Sequence, residues 1–209
     1  MTRLLLSLDL PTAAEAVHAA RSLVSCGVSV RVGPRLLSRV GPGVIASLQA
    51  FLPVLADARL SGAAREVGAA AQSLAALGAA WVTVDGAMEA AGLTETVSAV
   101  RQYGSKVYAT TVPPEAAEPD SGRGRAVSLQ TRSIAGTGIA GVLGTTPDLG
   151  VVAQVAPDLD VVVFGADSPE EVRDAVVRGA RGVVVDGRIA SAADPARAIQ
   201  PYIEVLRSA

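Results

Sequence analysis

Eight short runs of aliphatic and β-branched residues, separated by alanine-rich amphipathic stretches from one end of the chain to the other, narrow what this sequence can become more than any other feature. The runs are Leu4 to Asp9, Val28 to Val32, Val54 to Ala58, Trp81 to Val84, Val107 to Thr111, Gly141 to Leu143, Asp160 to Phe164 and Gly182 to Val185. Between them the pattern predicts helices near Ala13 to Ser25, Leu36 to Ala50, Ala63 to Leu77, Ala87 to Gln102, Ala126 to Ala135, Pro147 to Val155, Pro169 to Arg178 and Ala193 to Leu206. Near-continuous apolar strands alternating with helices point to a parallel sheet covered on both faces. Eight such units suffice to close a (β/α)8 TIM barrel, a single α/β domain over residues 1–209, with its functional groups on the loops after each strand. An open doubly wound sheet is the alternative arrangement of the same units.

Half of the 209 residues are hydrophobic but only 3% are aromatic, so Ala, Val, Leu and Ile must fill the interior. That composition suits close packing of helices on a sheet. The net charge is -2 and the arginines are dispersed, which leaves no electrostatic footprint for nucleic acid. The apolar start Leu4 to Leu6 is broken at Ser7 and Asp9, too soon for a secretory core, and no run approaches the roughly 20 residues of a membrane span. The lone cysteine, Cys26, excludes an intrachain disulfide, suits a reducing cytoplasmic setting and reads as a small buried hydrophobe. Pro113 to Gly124, PPEAAEPDSGRG, is expected to be a mobile loop after strand five, either a lid over the site or a surface insertion.

The inventory of reactive groups is short. The one histidine, His18, falls in the middle of the first outer helix, where a surface role is expected. A Ser-His-Asp triad, a histidine-based zinc site and a histidine base are therefore all disfavoured. The one lysine, Lys106, begins strand five at the end of the barrel opposite the site, which argues against Schiff-base chemistry. What remains at the strand tops is a set of carboxylates and guanidiniums, Asp9, Arg31, Asp57, Arg59, Asp85, Asp167, Asp186 and Arg188, with Thr83, Thr110 and Thr111 as hydroxyls.

Two distant segments carry a family resemblance. The first is Val54-Leu-Ala-Asp57-Ala-Arg59-Leu-Ser-Gly62 followed by Gly78-Ala-Ala-Trp81-Val-Thr-Val84, and the second is Gly187-Arg188-Ile189 through Asp194-Pro195. Leu8-Asp9-Leu10 and Val30-Arg31-Val32-Gly33 add smaller echoes. Together they resemble the orotidine monophosphate decarboxylase superfamily, above all its hexulose phosphate synthase and ketogulonate phosphate decarboxylase branch. The resemblance implies a barrel, a lyase activity on a small-molecule substrate and a homodimer with Arg59 to Arg65 facing the partner.

At the functional positions the chain departs from that pattern. Asp9 and Asp57 match it, but Arg59 stands where the family has its catalytic lysine and Gly62 where it has a second aspartate. Arg31 replaces a strand-two acid that helps hold Mg2+ or, in the orotidylate enzymes, a lysine; Leu143 replaces a strand-six histidine. The glycine-rich turns that the resemblance assigns to phosphate read Phe164-Gly165-Ala166-Asp167 and Val185-Asp186-Gly187-Arg188. Gly165, Gly187 and Arg188 could grip a phosphate, whereas Asp167 and Asp186 would oppose it unless Asp186 points away.

The expected catalytic group is therefore Asp57, Arg59, Asp85 and Arg31, with Asp57 or Asp85 as base and the arginines stabilising an enolate-like intermediate. Asp9, Thr110, Gly165, Asp167, Asp186, Gly187 and Arg188 are the expected substrate contacts, and no cofactor or tightly held metal is expected. Three functions fit: a lyase or aldolase acting on a sugar-phosphate-like anion, the same chemistry on a substrate without phosphate, and a non-catalytic barrel that serves as a binding or partner protein. In the last case Arg31, Asp57 and Arg59 would form a structural ion-pair cluster.

Overall fold

A computed structural model describes residues 2–111 and 122–208. Eight parallel strands, β1 (Arg3–Ser7), β2 (Ser29–Val32), β3 (Val54–Leu60), β4 (Trp81–Asp85), β5 (Lys106–Thr110), β6 (Gly141–Gly144), β7 (Asp160–Ala166) and β8 (Gly182–Val185), pair in sequence order. The pairing of β8 with β1 closes the barrel, with Leu4 opposite Val183 and Leu6 opposite Val185. All eight expected strands are present, and the open-sheet alternative is set aside by that closure.

Ten helices lie outside the barrel among the described residues: α1 (Ala13–Ser22), α2 (Pro34–Val40), α3 (Val44–Leu48), α4 (Ala64–Ala76), α5 (Ala90–Arg101), α6 (Gly122–Ile134), α7 (Asp148–Val155), α8 (Pro169–Val177), α9 (Pro195–Ala198) and α10 (Gln200–Ser208). The expected helix Leu36 to Ala50 is two helices, because Gly41-Pro42-Gly43 interrupts it with a glycine at φ 78° and a proline that cannot donate. A second break, at Ile199, separates α9 from α10, whose second residue is Pro201. Most of the segment Pro113 to Gly124 lies outside the described residues, and Gly122-Arg123-Gly124 are already the first turn of α6. Among the described residues no helix is long and apolar enough to cross a membrane.

Helix starts follow their sequence chemistry. Thr12 and Ser168 each accept a bond from the backbone N–H three residues on, while Glu15 and Glu171 reach back to the cap residue, forming two reciprocal capping boxes. Gly78, which ends α4, takes φ 93°, and a Cβ there would collide with Gln49, so glycine answers both backbone and space.

Side chains alternate along each strand, one set packing under the helices and the other filling the barrel. The outer set, including Leu4, Leu6, Val30, Val32, Val82, Val84 and Val183, belongs to the large core beneath the helices. The inner set builds three layers. At the N-terminal end of the strands Arg3 donates to Asp160 Oδ2 and Tyr108 Oη at 2.9 Å each and lies 5.2 Å from the centre of the Trp81 ring. Above this sits an apolar layer of Leu5, Leu55, Leu143, Val162 and Val184. The top layer is polar, and it forms the site.

Cys26 is half-buried rather than fully buried, because it lies in a short 3-10 turn, Val24–Cys26, and not on the inner face of α1. His18 is exposed, and Lys106 is exposed at the start of β5, on the side of the barrel away from the site.

Candidate active site at the barrel mouth

The top layer is organised around one carboxylate. Asp57 is wholly buried, and its Oδ2 accepts from Arg31 Nε at 2.8 Å and Nη2 at 2.5 Å. Its Oδ1 accepts from Thr83 Oγ1 at 2.8 Å, with Arg59 Nε 3.6 Å away. Arg31 is only 4% exposed and uses its remaining nitrogen to donate to Ser7 Oγ at 2.8 Å, and Ser7 in turn donates to Asp9 Oδ2 at 2.8 Å. Asp9 thus joins the cluster through a serine, with its own carboxylate 3.6 Å from Arg31 Nη1. Gly33 makes room for the guanidinium: a Cβ there would stand 2.9 Å from both Nη1 and Nη2 of Arg31.

Two breaks in strand register shape this layer. Between the pairs Ala56–Val82 and Leu60–Val84, β3 advances four residues while β4 advances two, so Asp57, Ala58 and Arg59 form a bulge. Arg59 sits in it at φ 46°, alone among the described non-glycine residues in taking a positive φ. Thr83 clips the bulge from both sides, since its hydroxyl accepts from the Arg59 N–H at 2.9 Å and donates to Asp57. In β7 a one-residue slip between Phe164 and Ala166 is carried by Gly165 at φ 85° and leaves Phe164 at the mouth. The Phe164 ring lies 4.8 Å from the Arg31 guanidinium and 6.0 Å from that of Arg59.

A cavity of about 370 Å³ opens beside this cluster over the ends of β3 to β7. Arg59, Asp85, Thr110, Thr111, Gln130 and Phe164 supply the side chains most relevant to a ligand. Asp85 accepts from the Ala87 N–H at 2.9 Å through Oδ1. Gln130 donates to the Thr110 carbonyl at 3.2 Å, and its buried Oε1 has no partner among the described residues. Beneath Thr111 a second buried pair holds the wall: Asp148, 2% exposed, takes two bonds from Arg123 and one each from the hydroxyls of Thr111 and Thr145.

Of the residues singled out from sequence, Arg59, Asp85 and Thr110 line the cavity together, whereas Arg31, Asp57 and Asp9 form the packed cluster next to it. Gly165, in the β7 bulge, and Asp167, Asp186, Gly187 and Arg188, after β7 and β8, lie outside the lining of this cavity. There Asp186 bonds the Arg188 N–H and Nε at 2.7 Å each, and Gly187 packs closely on Ser7 and Asp9. That bond to Asp186, followed by the carboxylate's charge, raises the Arg188 pKa above its ordinary value. Ser7, Phe164, Gln130 and the Arg123–Asp148 pair were not singled out as site residues. Serine within an apolar strand and phenylalanine at a strand end carry no signature of their own. The run Thr145-Thr-Pro-Asp148 was a readable helix start, though not a readable salt-bridge site.

The profile of the orotidine 5'-phosphate decarboxylase / HUMPS family matches residues 2–202. The chain belongs to this family. An orotidine 5'-phosphate decarboxylase from Anaeromyxobacter sp. (strain K) is 32% identical over 94% of each chain. Among solved structures, 3-hexulose-6-phosphate synthase from Salmonella typhimurium superposes with a TM-score of 0.82 at 24% identity over 99% of both chains. KGPDC from Streptococcus mutans gives 0.80 at 18% identity over 100% of this chain and 99% of its own. The barrel fold of the family is thus present over nearly the whole chain. The Mg2+ implied by the resemblance does not fit the residues of the mouth: the Arg31 guanidinium lies between Asp9 and Asp57, and among the described residues no three His, Cys, Asp or Glu side chains gather around a common point.

Proposed function

We propose that this barrel is a divergent carbon–carbon lyase of its family that works through an enolate held by Arg59, with Asp85 as the proton carrier. The observation that carries the reading is the placement of Arg59. A side chain on strained, left-handed backbone lines the cavity beside Asp85, and such backbone persists where the surrounding structure holds it for use. Family membership supports lyase chemistry, and the departures at the mouth set its form.

In the cleavage direction the Asp85 carboxylate takes the proton of a β-hydroxyl, the carbon–carbon bond breaks, and the electron pair moves into the neighbouring carbonyl as an enolate. Arg59 stabilises that oxyanion, and Asp85 returns the proton to carbon, so charge and protons balance. A guanidinium keeps its proton at neutral pH, so Arg59 fills the electrostatic part of a lysine's role and not the proton-donating part. Asp57 and Arg31 serve this scheme as positioning residues, because neither lines the cavity and both are engaged in buried bonds.

The test is solvent deuterium incorporation next to the carbonyl of dihydroxyacetone, followed by NMR, together with titration of oxalate as a planar stand-in for an enediolate. Exchange and oxalate binding are expected in the parent, loss of both in Arg59→Ala, and loss of exchange with oxalate binding kept in Asp85→Asn. Decarboxylation of orotidine 5'-phosphate in the same preparation is expected to fall below about 1 per second, the low end of ordinary enzyme turnover. Oxalate binding without exchange on any hydroxyketone would favour a binding barrel instead. The homodimer remains part of the proposal, with Arg59 to Arg65 toward the partner, and sedimentation showing monomer alone at micromolar protein would remove it.

A further inference from the structure

Alternation along β4 sends Trp81, Thr83 and Asp85 to one face of the strand. Trp81 stands with Arg3 at the N-terminal end of the barrel, and Asp85 lines the cavity at the other. Thr83 lies between them, wholly buried, and its one hydroxyl meets both ends of the β3 bulge. The partners fix the direction of the two bonds. A carboxylate paired with a guanidinium only accepts, so the Thr83 proton goes to Asp57 Oδ1 at 2.8 Å, and the lone pair left on Oγ1 takes the Arg59 N–H at 2.9 Å. Asp57 is itself held by two bonds from Arg31, so the hydroxyl is tied to a buried ion pair on one side and to Arg59 on the other.

We propose that Thr83 is a positioning residue for Arg59, passing the rigidity of the Arg31–Asp57 pair to the backbone of the residue that faces the ligand. The inference rests on Arg59 as the group that holds the substrate oxyanion and adds what aims it. In a regular strand residues 57 and 59 would point to the same side. The bulge parts them, leaving Asp57 wholly buried and the Arg59 side chain 45% accessible at the cavity. A φ of 46° is costly for arginine, and a hydrogen bond to an anchored hydroxyl offsets part of that cost. Donors held in place before a ligand arrives bind an oxyanion better, because less order has to be created on binding. Loss of the Thr83 hydroxyl therefore weakens the grip of Arg59 on its ligand, although Thr83 is not part of the cavity lining.

The test compares the parent with Thr83→Val, which keeps the volume and removes the hydroxyl, and with Thr83→Ser, which keeps the hydroxyl. Thr96→Val is the control: Thr96 is as buried, but its hydroxyl bonds the Gly92 carbonyl within α5 and it lies outside the cavity lining. Amide hydrogen exchange at Arg59, followed by NMR without ligand and referred to the Val82 amide for global opening, is expected to quicken about tenfold in Thr83→Val, the size of one lost hydrogen bond. Oxalate is expected to bind at least about fivefold more weakly to Thr83→Val, and within about twofold of the parent to Thr83→Ser and Thr96→Val. If circular dichroism shows Thr83→Val unfolded, Thr83→Cys, of similar volume and a weak hydrogen-bonding group, takes its place. An Arg59 amide as protected as in the parent, parental oxalate affinity in Thr83→Val, or a Thr83→Ser that fails as badly as Thr83→Val would each overturn the proposal. A parent that does not bind oxalate sinks the enolate reading instead, and amide exchange at Arg59 then decides the role of Thr83 by itself.

Discussion

At the scale of single residues the mouth is governed by charges that have left water. Asp57 and Arg31 are each nearly inaccessible, and both carboxylate oxygens and all three guanidinium nitrogens have partners. Such a pair adds little over a well-packed apolar substitute, yet removing one member leaves the other buried and uncompensated. Asp57→Asn is therefore expected to cost about 3 to 5 kcal/mol in urea unfolding, while the folded fraction still binds oxalate. A stable variant that has lost oxalate would move Asp57 from positioning to binding. That Arg31, Asp57 and Arg59 could meet as an ion-pair cluster was legible from their places at strand tops, and the three side chains do lie together. The sequence could not tell which of them faces the cavity, since one bulge is enough to turn Asp57 into the core and leave Arg59 at the opening.

Whole elements were legible where periodicity is regular and blurred where it breaks. All eight strands were visible, but β3 continues to Leu60 and β7 to Ala166, beyond the predicted ends at Ala58 and Phe164. In both cases the missing stretch lies at a bulge, which interrupts the alternation by which a strand is read. The β3 bulge also stores strain. A non-glycine residue in the left-handed region costs about 1 to 2 kcal/mol, so Arg59→Gly is expected to unfold about 1 kcal/mol later than Arg59→Ala, although both delete the same charge. Equal midpoints in paired urea titrations would show that Thr83 does not hold the backbone at φ 46° once the side chain is gone.

For the molecule as a whole, the barrel is an apolar layer between two polar ends. The end away from the site is plugged by Arg3, Tyr108 and Asp160, and burial, assisted by the Asp160 carboxylate, raises the Tyr108 pKa well above 10.0. A raised folded-state value means that the phenol stays neutral in the barrel while the unfolded chain ionises. Stability from this group is thus intact below about pH 10 and lost as pH climbs above it, at up to about 1.4 kcal/mol per pH unit. Tyr108→Phe leaves the Arg3–Asp160 pair in place and should flatten the decline between about pH 9.5 and 11 in urea unfolding. An unchanged slope would assign the alkaline loss to other groups. At the opposite end, the depth of Arg31 and Asp57 and the accessibility of Asp167, Asp186 and Arg188 imply different responses to ionic strength. The screening length shrinks from about 8 Å near physiological salt to about 3 Å at 1 M. Raised salt is therefore expected to weaken the exposed Asp186–Arg188 pair of the rim more than the buried pair beneath Phe164, so the outer edge of the mouth can soften while its floor stays set.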